Sequence, residues 1–250
     1  MKNPGKSSGA GYGGSKFAKI PGKGSLTEGG YVARVDALMK TNCYIVEFIG
    51  TFFLVFTVCA AAVLGTAGPM APVAIGLVLG IMIYGGGHIS GGHFNPAVTL
   101  GVCLRGKCDF KDLPFYWGAQ VVAAVVAVFA ARAVVPEATV EVANLAGKTV
   151  PVMIAEFLFT FALVWTVLNS ATAKSTAGNS FYGFAIGGIV LVGAFTVGSI
   201  SLGAFNPAVA TGLAVIGKLP VALLPLYIGV QLVAALVAAT AFKALAGKQD

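Results

Sequence analysis

Six apolar runs near 20 residues long divide the chain, at about 43–66, 70–87, 113–135, 150–170, 181–198 and 220–243, with polar and charged residues gathered between them. Each is long enough to cross a bilayer core as a helix. Two segments break this pattern. HFNPAVTLG at His93–Gly101 follows the second run, and AFNPAVATG at Ala204–Gly212 follows the fifth. Asn is a strong helix N-cap, and Pro is favoured at the first helical position because its missing N–H would be unpaired there anyway. Asn95 and Asn206 therefore each predict the start of a short helix. The expected fold is an all-α membrane protein with six transmembrane helices and two re-entrant half-helices.

The two short segments belong to a longer repeat. EFIGTFFLVFTV at Glu47–Val58 matches EFLFTFALVWTV at Glu156–Val167, and YWGAQVVAAVVA at Tyr116–Ala127 matches YIGVQLVAALVA at Tyr227–Ala238. Repeat one covers about 43–135 and repeat two about 150–243. Each holds three spans, an odd number, so the second half enters the membrane from the opposite side and the halves are inverted. The half-helices starting at Asn95 and Asn206 then enter from opposite faces, and their N-termini meet near the midplane. Irregular backbone at that depth must be buried in protein or line a wet cavity. GHISGGHF and SISLGAF, just before the motifs, can supply carbonyls along such a path. The Asn side chains and the positive helix ends would face its centre, accepting a neutral hydrogen-bonding molecule and opposing a cation.

Composition narrows the class further. Of 250 residues 57% are hydrophobic and 10% charged, against about 25% charged in a soluble domain. There are too few charges to coat a soluble surface. The net charge of +7 does not indicate nucleic acid, because its placement follows topology. Lys2, Lys6, Lys16, Lys19, Lys23, Arg34, Lys40, Arg105, Lys107, Lys111, Lys174, Lys243 and Lys248 fall on one side, and only Arg132, Lys148 and Lys218 on the other. The positive-inside rule makes both termini cytoplasmic, with the basic face available to anionic membrane lipid. Residues 1–41, rich in Gly, Ser and Lys, are expected to be a disordered cytoplasmic tail, 42–244 the membrane domain holding both repeats and 245–250 a second tail. Cys43, Cys59, Cys103 and Cys108 lie in or beside spans and indicate no disulfide framework.

Other chemistry is sparse. Glu47 and Glu156 are repeat-matched acids inside spans one and four, where an ionisable group is a functional candidate. One reading makes them proton carriers of a secondary transporter. The other, favoured by their symmetry, makes them acceptors for the backbone of the re-entrant loops. Gln120 and Gln231 form a second matched pair suited to loop support, and His88 and His93 flank the first loop. The His and Cys spacing suits no metal site, no cofactor is called for, and no nucleophile–base arrangement or phosphate loop points to an enzyme. Ser175 and Thr176, in a loop on the basic side, are weak phosphorylation candidates.

Over about residues 43–243 these features resemble the major intrinsic protein family, the aquaporins and aquaglyceroporins. SGGHFNPAVTLG is close to the family's first signature. The resemblance implies a homotetramer with one pore per subunit, the centre of each formed by Asn95, Pro96, Ala97, Asn206, Pro207 and Ala208. It also implies water and small neutral solutes (glycerol, urea, ammonia or peroxide) as the permeating molecules. The chain departs from the family where Arg normally follows the second Asn-Pro-Ala: the residue here is Val209, and no Lys or Arg occurs from Ser199 to Gly217. By offset from the motifs, the selectivity filter maps to Ile75, Ala194, Gly203 and Val209, an uncharged ring. Ala and Gly favour a wide ring passing larger neutral solutes, whereas a narrow apolar ring would dewet and gate. The family's usual mercury-sensitive Cys position is Gly203. The rival classes are an inverted-repeat transporter coupled through Glu47 or Glu156, and a non-conducting membrane scaffold.

Overall fold

In the computed structural model, residues 28–246 are described, with side chains from residue 36. The chain falls into a short N-terminal unit, residues 1–37, and a unit of residues 38–250 that holds the whole site. Eight α-helices are described: α1 Glu28–Thr57, α2 Ala71–Ser90, α3 Pro96–Leu104, α4 Leu113–Val134, α5 Thr149–Val167, α6 Tyr182–Ser201, α7 Pro207–Val215 and α8 Leu224–Ala246. Six helical segments among the described residues have the length and apolarity to cross a membrane: Asp36–Val63, Gly68–Ser90, Leu113–Val134, Thr149–Thr172, Tyr182–Ser201 and Val221–Ala246. The remaining two, α3 and α7, have nine residues each and are the half-helices expected from the Asn-Pro-Ala motifs.

The expected tail needs correction over its last turns. Helix α1 begins at Glu28, so 28–41 is helical and continuous with the first span, while 1–27 lies outside the described residues. Arg34, Ala37, Leu38, Met39 and Lys40 are good helix formers, and the span already supplies a nucleus for them to extend.

The repeat is visible in local detail. The spans that open each half end in a widened π-helical turn, Val58–Val63 after α1 and Leu168–Thr172 after α5. The half-helices pack on the last span of the other repeat, α3 on α8 and α7 on α4. Where α2 crosses α6, Gly76 and Gly80 face Gly183 and Gly187 across the contact. A Cβ on Gly187 would collide with the Gly76 carbonyl, and one on Gly80 with that of Gly183. Small residues four apart let helices approach this closely in lipid, where packing replaces the hydrophobic effect as the force between them. Large apolar side chains such as Phe129, Phe184 and Leu236 stay on the outside, as a lipid-facing surface requires.

Candidate functional site

The two motifs meet at the centre of the larger unit. The side chain of Asn95 caps α3, its Oδ1 accepting from the N–H of Ala97 at 2.8 Å and of Val98 at 3.4 Å. Asn206 caps α7 in the same way through Ala208 N–H at 2.9 Å. Each amide nitrogen then crosses to the other repeat. Asn95 Nδ2 donates to the Phe205 carbonyl at 3.0 Å, and Asn206 Nδ2 to the Phe94 carbonyl at 2.9 Å. Asn Nδ2 carries two hydrogens, so each retains one donor beyond this crosswise bond. Both residues line a central cavity, and both are almost fully buried.

The backbone that presents these carbonyls is strained. Phe94 and Phe205 both sit at φ +48°, a left-handed conformation that side chains other than Gly rarely adopt. Such strain persists only where surrounding bonds over-determine it, and here the buried acids supply them. Glu47 accepts four hydrogen bonds: Ser90 Oγ at 2.7 Å and His93 N–H at 2.9 Å on one oxygen, Phe94 N–H at 2.7 Å and Gln120 Nε2 at 2.8 Å on the other. Glu156 repeats the pattern with Ser201 Oγ at 2.7 Å, Ala204 N–H at 3.0 Å, Phe205 N–H at 2.7 Å and Gln231 Nε2 at 2.8 Å. Tyr116 and Tyr227 complete the two cradles by donating to the Ser90 and Ser201 carbonyls, each at 2.7 Å. Charge-assisted bonds of this kind are roughly twice as strong as neutral ones. Neither carboxylate lines the central cavity.

That cavity is lined in repeat-related pairs: Leu54 with Leu163, Ile75 with Ile186, Leu79 with Val190, Asn95 with Asn206, and Val98 with Val209. It leaves only about 20 Å³ for the centres of water molecules, close to the minimum that holds one water. It lies between two larger spaces. A vestibule of about 470 Å³ is lined by His93, Lys107, Cys108, Asp112 and Tyr116. Another, of about 240 Å³, is lined by Ile75, Ala194, Gly203 and Lys218.

The four positions mapped to an outer ring therefore do not share one level. Ile75 and Gly203 border both the central cavity and the Lys218-side vestibule, Val209 lines the cavity alone, and Ala194 lines the vestibule alone. Val190, one helical turn before Ala194, holds the deeper position. Ala194 does not widen the waist, which Leu54, Leu163, Ile186 and Val190 fill. The two histidines also part company. His93 borders both the cavity and the Lys107-side vestibule, its ring 5.1 Å from that of Tyr116, and its buried Nδ1 has no hydrogen-bond partner. His88 is exposed in the last turn of α2 and does not support the loop. The buried face there runs through Ile83, Gly86 and Ser90, and a residue two positions from Gly86 and Ser90 projects to the other side of the helix.

In the sequence Lys218 counted only toward the placement of charge, because it stands one residue beyond the stretch lacking Lys and Arg. The signal was its pairing with Lys107, 111 residues earlier. Both follow the αL glycine that ends a half-helix, Gly106 at φ +79° and Gly217 at φ +89°. In each case the Lys N–H bonds back to the carbonyl of the third-last helical residue, Val102 or Leu213, the closing bond of a Schellman turn.

Two inverted three-span repeats, with half-helices capped by Asn at a shared central cavity, define a membrane-channel architecture. The family profile "Major intrinsic protein" matches residues 34–194 and 149–249. The chain belongs to the major intrinsic protein family. It is 37% identical to aquaporin NIP1-3 of rice (Oryza sativa subsp. japonica) over 181 residues, 69% of this chain and 63% of that protein, so the match spans just under two thirds of the rice protein. It is 32% identical to aquaporin Z of Brucella melitensis biotype 1 over 222 residues, 81% of this chain and 96% of that one. Among solved structures, the aquaglyceroporin from Plasmodium falciparum has the same fold, with a TM-score of 0.65 at 23% identity, covering 81% of this chain and 93% of that chain.

Proposed function

We propose that this protein is a passive channel for water and small neutral solutes, with the path running from one vestibule to the other past Asn95 and Asn206. The observation that carries the reading is the pair of buried Asn amides at the central cavity, each with one donor left after its crosswise bond. A permeating water exchanges bulk hydrogen bonds for these donors where most of the surrounding lining is apolar. The positive ends of α3 and α7 converge there and oppose a cation. Relatives named aquaporins support the choice of water. The narrow waist restricts the other solutes to small ones.

The filter is formed by Ile75, Gly203 and Val209 together with Val190, and lacks a charged donor. Selectivity accordingly rests on the size of the waist and on the two Asn. Glu47 and Glu156, each engaged by four donors away from the cavity, serve as braces with Gln120 and Gln231, not as coupling groups. The charge asymmetry orients the Lys107-side vestibule and both termini toward the cytoplasm. The assembly is a homotetramer with one path per subunit.

Stopped-flow light scattering on proteoliposomes tests the reading. Water permeability is expected above that of protein-free vesicles, unsaturated at modest solute concentration and independent of pH or sodium gradients. Permeability equal to empty vesicles, with correctly folded protein, would establish the scaffold reading instead. Saturating, gradient-dependent uptake would establish a transporter.

A further inference from the structure

The Lys107-side vestibule holds a pair of thiols that conduction does not use. Cys103 lies in the last turn of α3 and is 2% exposed. Cys108 lies five residues on, half-buried, in the wall of the vestibule. The Schellman turn through Gly106 brings them together. Gly106 N–H bonds to the Cys103 carbonyl at 2.9 Å and Lys107 N–H to that of Val102 at 3.1 Å, folding the chain back over the end of α3. Both thiols then approach the same acceptor, the Asp109 carbonyl, Cys103 Sγ at 3.8 Å and Cys108 Sγ at 3.6 Å. The third thiol nearby, Cys43, is directed to the Ile89 carbonyl at 3.1 Å.

We propose that Cys103 and Cys108 form a dithiol clamp for a soft, thiophilic ion, entered from the Lys107-side vestibule through Cys108. Chemistry selects the ligand class. Among the described residues no three His, Cys, Asp or Glu side chains are grouped to hold a metal, so the clamp offers two sulfur donors and no more. That excludes a structural zinc site, which needs four ligands, and suits a soft ion satisfied by two sulfurs. A peroxide-sensing disulfide fits less well. Burial pushes both thiols above their ordinary range, and redox-sensor cysteines are low-pKa thiolates. A soft ion instead displaces the thiol protons as it binds.

A trivalent arsenical reports such a clamp without any redox change. Phenylarsine oxide would form two As–S bonds as both S–H bonds break, the two protons and the arsenic-bound oxygen leaving as one water. The folded, reduced full chain in detergent is incubated with this reagent, and excess reagent and single-thiol adducts are removed with a monothiol. The protein is then denatured, alkylated with N-ethylmaleimide and mapped by mass spectrometry. Cys103 and Cys108 are expected to be protected together, with Cys43 and Cys59 labelled and protection reversed by 2,3-dimercaptopropanol. Cys108→Ser should lose monothiol-resistant arsenic while Cys43→Ser retains it. Labelling of all four thiols in the wild type, or protection of one member of the pair without the other, overturns the proposal. Because the readout is an adduct and not a flux, it stands or falls separately from channel activity.

Discussion

Val209 and Val98 stand at matched positions of the two half-helices, both two residues beyond the motif Pro and both in the wall of the central cavity. The waist is thus apolar from both sides at these repeat-matched positions. At 4% exposure Val209 lines the central cavity, the waist of the proposed path. Val209→Ala should raise glycerol and urea permeability several-fold relative to water. Val209→Arg should lower the solute-to-water ratio and any cation leak, since a fixed positive charge in a confined, low-dielectric site opposes cation entry. Stopped-flow ratios normalised to reconstituted protein decide this. Ratios unchanged in both variants would place Val209 off the path.

The acids should behave as braces. Glu47→Gln or Glu156→Gln replaces a carboxylate accepting four hydrogen bonds with an amide that offers one oxygen acceptor and an NH₂ facing donors. A hydrogen bond to a charged group is worth about 1.5–3 kcal/mol, so each variant should melt several degrees lower in detergent. Neither should alter the response of flux to a proton gradient. Proton-coupled uptake in the wild type that disappears in Glu156→Gln would contradict the bracing role.

The crossing of α2 and α6 offers a test with an internal control. Gly187→Ala drives a methyl into the Gly76 carbonyl, whereas Gly188→Ala meets nothing within 4 Å. Overpacking costs about 1–3 kcal/mol, so the first should lower thermal stability and folded yield and the second should leave both unchanged. Equal melting temperatures for the two variants would mean that the helices do not pack this closely.

Mercurials applied from the Lys218 side should act weakly. Among the described residues that line that vestibule none is Cys, and Cys59, in the π-helical turn after α1, is fully buried. A membrane-impermeant mercurial outside oriented vesicles should therefore reduce water flux little and slowly. Rapid block abolished by Cys59→Ser would show that Cys59 faces the path.

The repeat made much of this fold readable in advance. Glu47 and Glu156, Gln120 and Gln231, and the two Asn could be paired by alignment of one half on the other, and apolar length located the spans. What escaped was information carried by register and by contacts across the repeat. Ala194 lies a single turn from Val190, and sequence offset alone does not say which of two same-face positions reaches the waist. Leu202 adopts the left-handed conformation, φ +67°, that its partner position fills with Gly91, so composition hid the turn. His88 and His93 differ by the rotation of one helix end. Cys103 and Cys108 meet only because a Schellman turn folds between them. The helix from Glu28 was masked by a glycine-rich stretch before it.

The crosswise bonds at the motifs bear on how the molecule is assembled. Asn95 finds its acceptor 110 positions later, and Asn206 finds its own 112 positions earlier. Contacts so distant along the chain form only after the intervening loop entropy has been overcome. When the first three spans are complete, the Phe94 carbonyl and Asn95 Nδ2 still lack these partners, and apolar surroundings penalise both. Neither half can finish its own motif. The conducting path is therefore one of the last features to form during biogenesis, and a truncated or mistimed second half leaves a first half with no path at all.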